Sequence, residues 1–156
     1  MSKKKSPYKN KRYWYHVSTT LKNKKIHLIP WDETKSANRD GDEPPGKRIC
    51  VAPTIEQCIT AIPYVLTEIC NIYRTETKVI AHKPSGVFDA KVTQEGWLCV
   101  PTPFIKIGTI DFEEIEKKLA VDQVIEQAAS SGEPRRSGKV LKWWKKARID
   151  RFIKKD

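Results

Sequence analysis

The chain has no apolar run near the roughly 18 to 20 residues needed to span a bilayer, and its opening MSKKKSPYKN holds no apolar segment of the kind a secretory signal requires. A cytoplasmic protein, not secreted and not in the membrane, is therefore expected. Also missing are GxGxxG, a Gly-rich phosphate loop, HExxH and GxSxG. Their absence sets aside the common dinucleotide, P-loop, zinc-protease and serine-hydrolase readings. The four cysteines, Cys50, Cys58, Cys70 and Cys99, lack the paired spacing of disulfide scaffolds and zinc knuckles. Reduced, mostly buried thiols are expected. No metal is expected either, since grouping these cysteines with His16, His27 and His82 would need a spatial coincidence that nothing in the spacing suggests.

Acidic residues are missing from positions 1–25, which hold nine Lys or Arg. Residues 139–156 add eight bases against two acids, so of the net +11 the ends carry +9 and +6 and the middle −4. A mildly acidic body with two basic ends is the pattern of a domain that captures a polyanion with its termini. The bland alternative is that the lysines serve solubility alone.

At 156 residues the chain is long enough for one core with tails. The expected fold class is α+β: a small mixed or antiparallel sheet with two packed helices and a basic C-terminal helix. Residues 1–12 read as a disordered basic arm, 13–129 as a single domain, 130–138 (SSGEPRRSG) as a flexible linker and 139–156 as a basic, Trp-containing helix. Strands are expected at Tyr13–Ser18, Ile26–Trp31, Arg48–Ala52, Ile72–His82, Trp97–Val100 and Phe104–Ile110, the last two separated by a Pro101-Thr102-Pro103 break. The polar stretch 32–47 is a long loop, expected to border the functional site. Thr54 with Gln57 forms a capping box for a core helix reaching Ile69, kinked or broken near Pro63, and Asp111 with Glu114 forms another for a helix reaching Ala129. In the last segment Val140, Trp143, Trp144 and Ala147 share one helical face, whereas Ile149, Phe152 and Ile153 lie nearly opposite. Such a helix contacts two surfaces or bends midway.

The most suggestive cluster is YWYHVS, where strand alternation puts Trp14 and His16 on one face and Tyr13 with Tyr15 on the other. A histidine so placed is also an ordinary strand residue. The order of pieces after it carries more: a polar loop, the strand RICVAP running straight into a helix, then a late strand entered by Gln94-Glu95. This layout, from Tyr13 to Ile110, resembles the ADP-ribosyltransferases of the histidine- and glutamate-containing clade. The resemblance implies NAD as substrate. It gives His16 the adenosine ribose, with Ser18 and Arg48 also at the cofactor, and gives Glu95 the nicotinamide ribose. A carboxylate there offsets the positive charge that develops on the sugar as the N-glycosidic bond breaks. Gly96, next to Glu95, is expected to let the ligand approach closely. The chain departs from the family on the middle strand, where Cys50, Val51 and Ala52 offer no aromatic ring for nicotinamide. Either another aromatic, such as Tyr64 or Trp31, supplies it, or the fold is kept here without the activity.

The basic ends suit phosphate neutralisation by Lys3, Lys4 and Lys5 and by Lys142, Lys145, Lys146, Arg148 and Arg151, with Trp143 and Trp144 stacking on unpaired bases. The helix is expected to carry most of this affinity and little of the body's stability. Two readings stand. One is an NAD-dependent ADP-ribosyltransferase-like protein acting on or near nucleic acid. The other is a small basic nucleic-acid-binding or inhibitor protein, of viral or mobile-element kind, that occupies a nucleic acid or a nucleoprotein complex without chemistry.

Overall fold

Aromatic and β-branched residues recur in short runs bounded by proline, glycine or polar residues, and these runs supply the strands. A computed structural model describes residues 7–32, 47–61, 69–84, 90–119 and 134–155. In chain order they form β1 (Tyr15–Ser18), β2 (Lys25–Leu28), β3 (Trp31–Asp32), β4 (Lys47–Val51), α1 (Ile55–Ala61), β5 (Ile69–Thr75), α2 (Ala90–Thr93), β6 (Gly96–Leu98), β7 (Thr102–Asp111), α3 (Phe112–Leu119), α4 (Pro134–Ala147) and a 3-10 turn at Ile149–Phe152. The fold is α+β. All strand pairs are antiparallel, in a four-stranded sheet ordered β1-β5-β7-β2 and a three-stranded sheet ordered β3-β4-β6. Tyr15 and Ala52 exchange backbone hydrogen bonds of 2.8 and 3.0 Å, which stitches β1 of the larger sheet to the end of β4 in the smaller.

Two apolar clusters follow from strand alternation. Val17, Cys70, Ile72 and Ile110 project from one face of the larger sheet onto Cys58 and Ile59 of α1, Phe112 and Ile115 of α3, and Val140 and Trp144 of α4. On its other face Trp14, Tyr73 and Phe104 meet Ile49, Val51 and Leu98 of the smaller sheet. A one-residue bulge makes this possible. Ile72 pairs with Gly108 but Tyr73 pairs with Lys106, so Ile107 is the extra residue and β7 changes the face it presents between Ile110 and Phe104.

Several expectations change. Residues 7–12 are not a free arm: Pro7 bridges His82, Arg12 bridges Val79, and His82 also bridges Trp97, so the N-terminal segment extends the smaller sheet. Ile69 belongs to a strand, not to the core helix; β5 ends at Thr75, and beyond it only Val79 and His82 form isolated bridges. Ile72 in β5 is buried, whereas Lys78 and Ile80, beyond the end of that strand, are exposed. Pro103 lies inside β7, a central strand. Its carbonyl accepts from Glu76 N (3.0 Å) beyond the end of β5, so its missing N–H faces a place where no ladder continues.

Thr54 caps α1 as its sequence suggests, accepting from Gln57 N at 3.2 Å and donating to Gln57 Oε1 at 2.9 Å. Asp111 instead accepts from Glu113 N (3.0 Å), while the Glu114 carboxylate pairs with Lys154 at 2.9 Å. The linker is corrected as well. α4 starts at Pro134, inside the stretch expected to be flexible, with proline at its first turn where the missing N–H costs least. After Ala147 the chain turns at Arg148, which sits in the left-handed region at φ 55, ψ 59. That turn brings Ile149 into the same core as Val140 and Trp144, which reconciles the two opposed apolar faces. Lys154 then bridges Thr109, and a side chain at Gly108 would stand 2.7 Å from the Lys154 carbonyl. The kink at Pro63, the 33–46 loop and the end of the helix expected to reach Ala129 lie outside the described residues.

Candidate functional site

The smaller sheet aligns side chains in a predictable order. Cys50 pairs with Trp97 and Trp31 with Arg48, so Trp31, Arg48, Cys50 and Trp97 share a face by strand alternation. Arg48 is fully buried, with its guanidinium carbon 4.0 Å from the centre of the Trp97 ring. His16 approaches this sheet from β1. Its Nδ1 lies 3.0 Å from the Cys50 carbonyl, which can only accept, so Nδ1 carries the proton and donates. Its ring lies edge-on to Trp31 (5.9 Å between centroids) and tilted to Phe104 (6.0 Å). Burial lowers the His16 pKa, and the bond to Cys50 opposes that shift only in part. The neutral ring therefore keeps Nε2 as a hydrogen-bond acceptor, suited to a hydroxyl.

Glu95 stands just before β6, after a reversal at Gln94 with φ 51. A non-glycine residue in the left-handed region is uncommon, and here it closes the short α2 and turns the chain into the strand. Hydrogen bonds hold Glu95 in place: its N–H donates to Thr93 Oγ1 (3.3 Å), its carbonyl accepts from the Tyr8 hydroxyl (2.5 Å), and its Oε2 accepts from Trp97 Nε1 (2.7 Å). Burial first, then the Glu95 charge, raise the Tyr8 pKa, so the phenol stays a donor. His16 and Glu95 are thus both tied to one cross-strand pair, His16 through the Cys50 carbonyl and Glu95 through the Trp97 indole.

The other expected residues fall as follows. The Ser18 hydroxyl accepts from Thr20 N (3.1 Å) and Leu21 N (3.0 Å), so it holds the turn after β1. Gly96 does not face a ligand. A side chain there would come within 2.8 Å of both Ala81 and the Trp14 ring, so glycine serves close packing. Both ends of the 33–46 segment, at Asp32 and Lys47, continue the Trp31–Arg48 pair beside His16. Tyr64 and Lys3, Lys4 and Lys5 lie outside the described residues.

On the C-terminal helix Lys142, Lys145, Lys146, Arg148 and Arg151 are exposed. Trp144 is not: it is 0% exposed, packed on Phe112 (5.9 Å) and on Trp143 (4.9 Å), and cannot stack on a base. The sequence reading missed Tyr8 and the clamp at Trp97. Glu-Gly-Trp at the start of a strand carried the second signal, since residues two apart share a face.

All four cysteines are thiols, and burial pushes Cys58 up to about 12, so it stays protonated and donates to the Tyr15 carbonyl. Among the described residues no three His, Cys, Asp or Glu are grouped to hold a metal, and no helix is long and apolar enough to cross a membrane. Comparisons with protein-family models, curated proteins and solved structures find no match.

Proposed function

We propose that the chain is an ADP-ribosyltransferase-like domain that binds NAD at the β1–β4–β6 junction and works on or near nucleic acid. The observation that carries this reading is the common anchoring of His16 and Glu95 on the Cys50–Trp97 pair. In this reading the neutral His16 ring, its Nδ1 committed to Cys50, accepts a ribose hydroxyl through Nε2. The Glu95 carboxylate, held by the Trp97 indole, faces the sugar carbon. As the bond to nicotinamide breaks, the electron pair leaves with nicotinamide, and the positive charge left on the ribose is stabilised by a carboxylate already oriented. Trp31, half-exposed beside His16, is the described ring available for stacking. Basic ends and exposed lysines supply attraction to a nucleic-acid partner.

A second reading, binding without chemistry, draws on Arg48. It covers the Trp97 ring, and β4 brings no aromatic of its own. Thermal melting with NAD separates the two, because a ligand that binds only the native state at 100 times its Kd stabilises it by about 2.7 kcal/mol. Millimolar NAD should raise the Tm of the wild type and of Glu95→Gln but not of His16→Ala. Nicotinamide release should be lost in Glu95→Gln. An unmoved wild-type Tm would sink the transferase reading and leave the binding one.

A further inference from the structure

The N-terminal segment and residues 78–83 form a two-stranded ribbon at the rim of the smaller sheet, next to the end of β5 where Thr75 N donates to the Trp14 carbonyl. Tyr8 N donates to the Ala81 carbonyl (2.8 Å), and Arg12 and Val79 exchange bonds of 3.1 and 3.0 Å. Between these contacts the N-terminal side is the longer, so it bows outward and leaves Lys9 and Lys11 in solvent.

Cations are set along this ribbon on aromatic rings. The Arg74 guanidinium lies 4.1 Å from the centre of the Tyr13 ring, and the Lys78 ammonium lies 5.6 Å from the same ring. Arg12 lies 5.7 Å from Trp14, and Lys83 lies 5.8 Å from Tyr8. Two of these rings, Trp14 and Tyr8, are themselves held. Trp14 Nε1 donates to the Val79 carbonyl (3.1 Å), Tyr8 donates to the Glu95 carbonyl (2.5 Å), and Tyr8 and Trp14 pack 5.1 Å apart. Among the described residues none of Lys9, Lys11, Arg12, Arg74, Lys78 and Lys83 forms an ion pair. Among the described residues Arg74 donates only through Nε, to the Thr75 carbonyl at 3.3 Å, which leaves both terminal nitrogens for a ligand.

Side chains fixed over a ring lose little further freedom when they bind, and like charges held side by side repel until a polyanion bridges them. Anionic lipid would need a continuous apolar face beside these cations, whereas Ile80 is the one large apolar side chain exposed here among the described residues. On the C-terminal helix, by contrast, Trp144 is buried in the core and Trp143 packs partly buried against it.

We propose that this ribbon, rather than the C-terminal helix, is the nucleic-acid seat. A phosphodiester backbone runs along it, with its phosphates on Arg12, Arg74, Lys78 and Lys83. The inference deepens the nucleic-acid half of the proposed function and does not depend on NAD.

The test uses the full chain and a fluorescein-labelled single-stranded 20-mer, with anisotropy followed across a salt series. Arg74→Gln/Lys78→Gln should weaken binding at least tenfold at low salt and flatten the log–log salt slope by about 1.4, since each lost phosphate contact on a single strand removes about 0.7. Lys9→Gln/Lys11→Gln, which changes only exposed side chains, should weaken binding in the same direction, and cooperative melting should be kept in all variants. Lys142→Gln/Lys145→Gln/Lys146→Gln should change affinity by less than threefold. If the helix variant carries the loss and the ribbon variants bind like wild type, the inference is overturned and the nucleic-acid partner stands. If the wild type binds no oligonucleotide at low salt, both fall. Binding to phosphatidylserine vesicles that displaces the oligonucleotide would reassign the ribbon to membrane surfaces and overturn it too.

Discussion

His16 shows at the scale of a single side chain how burial fixes a protonation state. Its folded pKa is lowered by desolvation, whereas in the unfolded chain the ring titrates near 6.5. Above that pH both states hold a neutral ring and the difference vanishes. As the pH falls below it the unfolded state binds the proton first, so stability is lost until the pH passes the folded value. Urea midpoints should therefore fall between pH 8 and pH 5 by more in the wild type than in His16→Gln. Equal falls would mean that the ring is not held neutral. The facing of Trp14 and His16 was legible from alternation, and the Thr54 cap from its spacing to Gln57. What the pattern could not show was the purpose of Gly96, because a glycine beside a glutamate looks the same whether a ligand or the Trp14 ring fills the space.

Among the elements, α4 departs furthest from its composition. Ser-Gly-Glu-Pro-Arg reads as linker, yet Pro134 opens a helix and Gly138 sits within it. A methyl group at Gly138 would meet nothing within 4 Å, so Gly138→Ala should stabilise the protein by about 0.5 to 1 kcal/mol through helix propensity alone. Chemical denaturation checks this, and a loss of stability would place Gly138 outside a helix. The same helix buries Val140 and Trp144 and leads into Ile149. Deleting 139–156 should therefore abolish cooperative melting, and Trp144→Ala alone should cost about 3 to 5 kcal/mol. A truncated chain that still melts sharply would restore the free tail. The β-branched and apolar run from Phe104 to Ile110 foretold β7 but not its bulge, because an extra residue shows only against the partner strand. The turn at Arg148 was hidden likewise, since a left-handed arginine has no marker in composition.

For the molecule as a whole, charge was the most readable property, and the α+β class followed from the mixture of helical and alternating periods. The joining of the two sheets, the capture of residues 7–12 and the anchoring of His16 and Glu95 on the paired Cys50 and Trp97 all depend on pairings between distant segments, which local patterns do not encode. The candidate site was legible as residue types in an order, not as an arrangement. Those distant pairings also govern how the chain acquires its shape. Tyr8 bonds to Glu95, 87 residues away, and the Trp14 amide bonds to Thr75, 61 residues away. The N-terminal segment is thus synthesised long before its partners and waits unpaired, with a basic charge that discourages collapse. Closing such loops precedes any reward from contact, which places refolding in the range of about milliseconds to seconds. Stopped-flow tryptophan fluorescence should show that slow phase, and complete refolding within about 100 microseconds would contradict it. On the ribosome, neither β1 nor the N-terminal ribbon can settle until β5 and β6 have been made, so folding of this chain is delayed and cooperative rather than progressive.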